Sequence, residues 1–545
     1  MAITEKIRHI PAIVASWIRP NIKTFLITGQ PKIWGLSLII GVAVGIAAIA
    51  FREAIGLVQL LWLDTRTENV LTSARNASWY WLIIGPTFGG LLVGLLLTQL
   101  SAKRTGGVAD VIEAKVHAGR PLDFRDGILS AITTVISLGF GASAGREGPV
   151  VHLGATLASV VGHRRKLPEW CVRTLLAAGV ASAVSASFNA PIAGVLFAHE
   201  VILQHYAFRS FVPIVIASTA GTVLSRLWFD EATVFFIPDY QITSYWEFPA
   251  FALLGVVSAI VAICFQFTLF AADYTARRVT LPLVLRPVIG GFLLGLIALA
   301  FPHVLGVGYE ATDMALWNQL PLAMMLALIA AKSLATAITL ASRFGGGIVA
   351  PSLYLGAMAG GAFGLIAGSV FPDMASSGGL YAILGMGAVA GAVIGAPIST
   401  TVIVFELTGG YTLSIALLLT VAIAYGINQA IHGHSYFHWQ LKMRGLSIHE
   451  GPHRSLTRSR SVMDFMDLPE DGSEPQTLDP NLDTPALKPG DTLEHALRIF
   501  DTGGHSRLPV VDVNDSAKII GWATQVRALR YFNKSLIEAS VEEHR

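Results

Sequence analysis

In the stretch GFGASAGREGPVVHLGA, Gly139 to Ala155, a guanidinium and a carboxylate (Arg146 and Glu147) stand between Gly145, Gly148 and Pro149 in an otherwise apolar chain. A charge at the centre of a bilayer costs at least ~2.5–3.5 kcal/mol on insertion scales, so a carboxylate kept there points to a task beyond packing. Its neighbours say which task. Proline is favoured in the first turn of a helix, where its missing N–H costs nothing, so Pro149 marks a helix start. A helix that starts inside the membrane leaves N–H groups unpaired and points its positive dipole end inward. Such an end binds an anion without a full positive charge. Glu147 brings its own anion to that place. Ionised, it competes with a permeant ion; protonated, it loses the attraction and swings aside. Glu147 is therefore expected to be a gate opened by protons, the plainer alternative being a structural pair with Arg146 or a lysine. Arg146 itself reads as structural, with an acid such as Glu113 as candidate partner.

Such a site needs a second helix start, and the chain has one. GGGIVAPSLYLGA, from Gly345, repeats the glycine-then-proline pattern, aligning Pro149 with Pro351 and Gly154 with Gly356. A second echo aligns Gly179–Val201 with Gly385–Thr408, placing Ala190-Pro191-Ile192 on Ala396-Pro397-Ile398 and Glu200 on Glu406. Duplicated halves with interrupted helices are the expected form of a transporter whose site lies at the repeat interface. Irregular backbone at that depth is tolerated only where it is buried in protein or lines a watery cavity.

The bulk numbers agree. The 545 residues are 53% hydrophobic and 14% charged, against about 25% charged in soluble proteins. Runs such as WGLSLIIGVAVGIAAIAF, WYWLIIGPTFGGLLVGLLL and FALLGVVSAIVAICFQFTLF approach the roughly 20 residues that span hydrocarbon. The first 33 residues, with Lys6, Arg8, Arg19 and Lys23, read as a basic amphipathic lead-in rather than a cleavable signal. Cys171 and Cys264 lie in apolar runs and are expected to pack rather than to form a disulfide. His432, His434 and His438 crowd the end of the body without the acid or cysteine spacing of a metal site.

These residues resemble the CLC family of chloride channels and chloride/proton antiporters, from roughly Trp34 to Gly445. GREGP is that family's most distinctive string; GGGIVAPSLYLGA is similar to its second anion-binding segment, and NAPIAGVLF and GAPIST to its repeated helices. The resemblance implies inverted repeats, a homodimer with one anion pathway per subunit, Glu147 as the gating glutamate, and the amides of Ile348 and Val349 as an anion-coordinating pair. Arg146 and Gly148, on either side of Glu147, are counted with them as anion-binding positions. The family's first anion segment, usually Gly-Ser-Gly-Ile-Pro, falls on TGGVA, so Gly106, Gly107 and Val108 are its anion-binding positions and the serine hydroxyl is missing. Proton-coupled members carry two acids after the phenylalanine of the GVLF segment. Here GVLFAHEV puts Glu200 at the first and Val201 at the second, the inner proton position, so a proton hop there needs another carrier such as His199 or water. Counting back from Leu441 puts Phe437 at the family's inner tyrosine; a shift of one puts Tyr436 there.

The tail from Leu487 resembles one CBS module, a small βαββα unit that works in pairs and often binds adenine nucleotides. Asp491 or Thr492 can cap a helix with Leu493, Ala496, Leu497 and Phe500 on its apolar face. RLPVVDV and KIIGWAT alternate as two strands about an NDS turn, and a helix follows from Gln525. SRSVMDFM reads as the remnant start of a second module.

The expected architecture is an all-α polytopic membrane protein of CLC type with broken helices, plus a small α/β cytoplasmic tail. Its parts are the lead-in (1–33), the membrane body (34–445), a linker (446–485) and the CBS-like module (486–545). The expected function is anion transport, most simply of chloride, by channel-like passive permeation gated at Glu147. Proton-coupled exchange without the usual inner glutamate is the alternative. A membrane-embedded haem enzyme is the alternative from another class, and it would need paired axial histidines on facing helices. No metal, other cofactor or nucleic acid is expected, and a lone module speaks against nucleotide binding. The expected partners are the anion, protons, the bilayer and a second copy of the chain. The expected place is the cell (inner) membrane, with both termini cytoplasmic.

Overall fold

The computed structural model describes residues 18–229 except 24, 28, 68 and 117–120, then 242–408 and 413–446. In the tail it describes 457, 460–468, 485–513, 515 and 517–544. Lys6 and Arg8 of the lead-in and nearly all of the acidic linker lie outside the described residues. The chain divides into two compact units, Met1–Phe437 and His438–Arg545.

In the first unit the helices are α1 (Gln30–Leu63), α2 (Val70–Asn76), α3 (Trp79–Leu97), α4 (Val108–Val116), α5 (Phe124–Gly139) and α6 (Glu147–Arg164). They continue with α7 (Glu169–Phe188), α8 (Pro191–Phe197), α9 (Phe208–Phe229), α10 (Phe248–Arg278), α11 (Leu285–Ala300) and α12 (Tyr309–Leu316). Next come α13 (Leu322–Ala341), α14 (Val349–Val370), α15 (Gly378–Ile394), α16 (Pro397–Thr408) and α17 (Ser414–His432), and α18 (Tyr436–Lys442) runs across the boundary between the units. Among the described residues, eight helices are long and apolar enough to cross a membrane, and this is a multi-pass membrane protein. The three cleanest apolar runs fall on α1, α3 and α10. Cys171 is buried as a packing residue, whereas Cys264 lies on an exposed face of α10, because every third or fourth residue of an outer helix faces away from the bundle.

The internal echo is a structural duplication. In the first half α6 crosses α7 where Gly154 meets Gly179; a Cβ on either would lie 2.6 or 2.4 Å from the other's carbonyl oxygen. In the second half α14 crosses α15 where Gly356 meets Gly385, with 2.2 and 2.4 Å for the same distances. Close backbone approach through small residues is how membrane helices pack. The halves also clasp one another. Glu406 accepts the N–H groups of Ile192 (3.0 Å) and Ala193 (2.7 Å) at the start of α8. Glu200 accepts those of Ile398 (3.1 Å) and Ser399 (2.7 Å), and the Ser399 hydroxyl, at the start of α16. Each half supplies the carboxylate that caps the other's helix. Such an exchange of equivalent contacts is the signature of a two-fold relation.

The second unit has α19 (Leu493–Gly503), β1 (Arg507–Val511), β2 (Ile519–Thr524) and α20 (Gln525–His544). Thr492 is the cap of α19, its hydroxyl accepting from His495 N–H at 3.2 Å. The strands pair antiparallel. The segment read as a remnant of another module belongs to this one. Val462 and Phe465 are buried with Leu487, Leu493, Phe500 and Leu508, and Asp467 exchanges backbone hydrogen bonds with Trp522 (2.8 and 2.9 Å). Two large side chains otherwise stranded in water close this core, which is why the segment is drawn into it.

Candidate functional site

Two helix starts meet inside the body. Gly145 N–H donates to the Gly347 carbonyl at 2.8 Å and Gly347 N–H to the Gly145 carbonyl at 2.7 Å, an isolated antiparallel bridge. The bridge lies just before α6, whose first residue is Glu147, and α14, whose N-cap is Ile348 and first residue Val349. The first intrahelical bonds come later, from Val150 N–H to Arg146 and from Ser352 N–H to Ile348. The N–H groups of Gly148, Ile348 and Val349 therefore precede the regular ladder, as helix starts require.

Glu147 is 2% exposed. Its Oε1 accepts the hydroxyl of Tyr309, the first residue of α12, at 3.0 Å. The guanidinium of Arg146 lies 5.3 Å over the same ring and donates to the Ser187 carbonyl at 3.3 Å. Arg146 thus braces Tyr309 and the end of α7. Beside Glu147 is a cavity of about 10 Å³, room for about one water-sized sphere. Its wall includes Val108, Gly148 and Val349, so α4, α6 and α14 all bring their first turns to it, with Phe197 and Ile403 from the two clasped helices.

The TGGVA segment is arranged differently from the start of α14. Gly106 N–H is held by the Ser130 hydroxyl and Gly107 N–H by the Asp110 carboxylate, both at 2.8 Å. Asp110 also pairs with Arg104 at 2.6 Å. Of that trio Val108 is the residue that walls the cavity. A Cβ at Gly106 would lie 2.3 Å from Nε2 of His152, whose ring fills the space a serine side chain would need.

On the inner-acid side, Val201 is 5% exposed within a π-helix, Ala198–Leu203, that continues α8. His199 in the same turn is buried and stacks on Tyr206 and Phe211. Its Nδ1 is 2.9 Å from the His205 carbonyl. A carbonyl only accepts, so Nδ1 carries the proton and Nε2 is the bare nitrogen; among the described residues that Nε2 has no hydrogen-bond partner. Tyr436 and Phe437 are both buried and pack edge to face at 6.2 Å, with Tyr436 stacked on Phe270. Neither walls the cavity beside Glu147. His432 packs against Phe267 and Phe270, and among the described residues no His, Cys, Asp and Glu group could hold a metal ion. Tyr309, His152, Ser130 and Asp110 were not found by sequence reasoning. Each is a lone polar residue whose partner is far along the chain or on the next turn, and no spacing announces it.

Comparison with known proteins agrees with the fold. The family described as voltage gated chloride channel matches residues 89–429, and the CBS domain family matches 480–534. A ClcB-like protein of Ralstonia nicotianae is 30% identical over 395 residues, 71% of this chain and 91% of that protein. The voltage-gated ClC-type chloride channel ClcB of Escherichia coli is 27% identical over 74% of this chain and 97% of its own length. Among solved structures, a slow cyanobacterial chloride/proton antiporter shares the fold with a TM-score of 0.67 at 22% identity, covering 76% of this chain and 98% of that one. Family membership also sets aside the haem-enzyme alternative. The chain belongs to the CLC family, with a CBS domain in its tail, and transports chloride-like anions across a membrane.

Proposed function

We propose that this protein conducts chloride passively, channel-like, through a pathway gated by protonation of Glu147. The observation that carries the reading is the convergence of three helix starts on one ion-sized cavity walled by Glu147. Helix starts present amides and positive dipole ends, so the cavity favours one small anion. The ionised Glu147 side chain is an anion already attached to the spot. Protonation removes its advantage, and chloride takes the place beside Gly148, Ile348 and Val349. Gly106 and Gly107 contribute by shaping the first segment, since Ser130 and Asp110 hold their amides.

The protein acts as a homodimer in the inner membrane, both termini cytoplasmic, with one pathway per subunit. Its CBS domain pairs with that of the second copy, and the exposed Val526, Leu529 and Ile537 of α20 supply apolar surface for that pairing. This role is structural rather than nucleotide sensing.

A second reading, proton-coupled exchange, is favoured by one observation: the bare, buried Nε2 of His199 two residues from Val201. In that case His199 replaces the missing inner acid. Reversal potentials in proteoliposomes separate the two. Passive conduction follows the chloride gradient alone, whereas coupling makes the potential depend on the proton gradient as well. Glu147→Gln is expected to leave permeation open and insensitive to external pH; a retained pH response removes Glu147 as the gate.

A further inference from the structure

Lys332 places an ammonium in the middle of α13, a span of apolar and small residues, and it is fully buried. An intramembrane charge of this kind calls for a function and a named partner, and the gate described above makes no use of it. Its Nζ donates to the carbonyls of Val304 at 3.0 Å and Gly306 at 2.9 Å. It also lies 5.1 Å over the ring of Tyr354 on α14, a face that attracts a cation.

The turn held in this way leads directly to the gate. Gly306 and Gly308 both have left-handed φ, +61° and +94°. Gly306 N–H donates to the Gly141 carbonyl at 3.1 Å, in the segment that leads into the Gly145–Gly347 bridge. Gly308 is the N-cap of α12, and a Cβ on it would lie 2.8 Å from the Tyr354 ring and 3.4 Å from Lys332 Nζ. The next residue is Tyr309, whose hydroxyl holds Glu147.

We propose that Lys332 is a positioning residue for the gate: its ammonium fixes the 304–308 turn and thereby sets the Tyr309 hydroxyl on the Glu147 carboxylate. This inference rests on reading Glu147 as a proton-operated gate. Tyr309 donates to Glu147 and Arg146 lies over the same ring, while Val108, Val184, Phe188, Phe197, Val349 and Ile403 give the cavity beside Glu147 an apolar wall. Lys332 acts at one remove, through the turn. Without the ammonium two buried carbonyls lose their donor and the turn relaxes. Donation from Tyr309 to the carboxylate then weakens. A hydrogen bond to the charged form favours that form, so its loss lets fewer protons open the gate.

The test is chloride efflux from liposomes holding the full-length protein, measured against external pH. Glu147→Gln gives a flat profile; a retained pH response there overturns the gate itself, whatever Lys332 does. With Glu147 present, Tyr309→Phe moves half-activation up by about one pH unit, a tenfold lower proton concentration. Lys332→Met moves it the same way by about half a unit to one unit. The double variant moves no further than Tyr309→Phe alone, as residues acting through one contact must. A loss of folded protein alone would scale the flux and leave the midpoint in place. A wild-type midpoint in Lys332→Met, or a double shift equal to the sum of the singles, overturns the inference while leaving the gate standing. Should Lys332→Met fail to fold, Gly306→Ala replaces it. A Cβ there meets nothing nearer than 3.8 Å, so the change strains only the left-handed turn. Its midpoint must also rise, and an unchanged one overturns the inference.

Discussion

Three of the carboxylates at helix starts, Glu147, Glu200 and Glu406, divide into two kinds. Glu200 and Glu406 each reach across to the other half and accept two backbone amides. Glu147 stands at the start of its own helix, held by the hydroxyl of Tyr309 and facing a cavity of about 10 Å³. The chemistry is the same, a negative charge at a positive helix end. The geometry differs. A carboxylate that bridges two halves is a fastener, and moving it would open the clasp between α8 and α16. A carboxylate beside an ion-sized space can leave without unpicking the fold. On the proposed reading the position of the space, rather than the charge, separates a gate from a clamp.

Exchanging the same substitution between the two regions is the sharpest way to break that division. Glu147→Gln should flatten a flux profile that otherwise changes by up to about tenfold per pH unit on its steep limb, with little change in melting temperature. Glu200→Gln and Glu406→Gln should each lower stability by about 1–3 kcal/mol, the cost of weakening charge-assisted bonds to exposed and part-buried amides at helix starts, and should leave the pH response intact. Thermal unfolding in detergent and efflux from liposomes read the two effects separately. A Glu406→Gln protein with altered pH gating and unchanged stability would reverse the assignment.

What the chain disclosed before folding follows the same line. The helix starts at Pro149 and Pro351 were legible because proline restricts its own backbone locally. The pairing of Glu200 with Glu406 was legible because duplication writes the same residues twice. That each caps the other half's helix was not, since the alignment says which positions are equivalent and nothing about which face each other. Tyr309, His152 and Lys332 left no trace for a related reason. Each is one polar residue in an apolar setting, and its meaning depends on a contact such as that between Tyr309 and Glu147, 162 residues apart. In the tail, the Thr492 cap and both strands followed from local rules. SRSVMDFM was misread because its two buried side chains, Val462 and Phe465, complete a core that only the folded unit contains.

A smaller effect tests the site's own packing. His152 fills the volume that a side chain at position 106 would need. Gly106→Ser, which restores the family's usual hydroxyl, should therefore cost about 1–3 kcal/mol by overpacking and weaken the hold of Ser130 on the Gly106 amide. Pairing it with His152→Ala should recover most of that loss. If Gly106→Ser alone melts like the wild type, the imidazole is free to move aside and does not explain the missing serine.

The smallest effect keeps the gate and the scaffold from being confused. His205 follows the π-helix that holds Glu200, and it is pushed down to about 4, by burial first and then by the nearby Lys115 ammonium. The unfolded chain takes up this proton near the ordinary value of about 6.5, while the folded protein refuses it until about 4. Its contribution to stability is therefore complete above about pH 6.5 and is lost as pH falls toward 4. His205→Gln should make the fall in melting temperature across that window shallower, by about 1–2 °C, and leave the pH of half-maximal flux unmoved. On the proposed mechanism acid opens the pathway at Glu147, and by a separate route it loosens the fold at His205. A flux curve measured alone would merge the two, because protein lost to unfolding mimics a gate that closes again at low pH. Measured in this variant, a descending limb that recedes belongs to the scaffold, and one that stays belongs to the pathway.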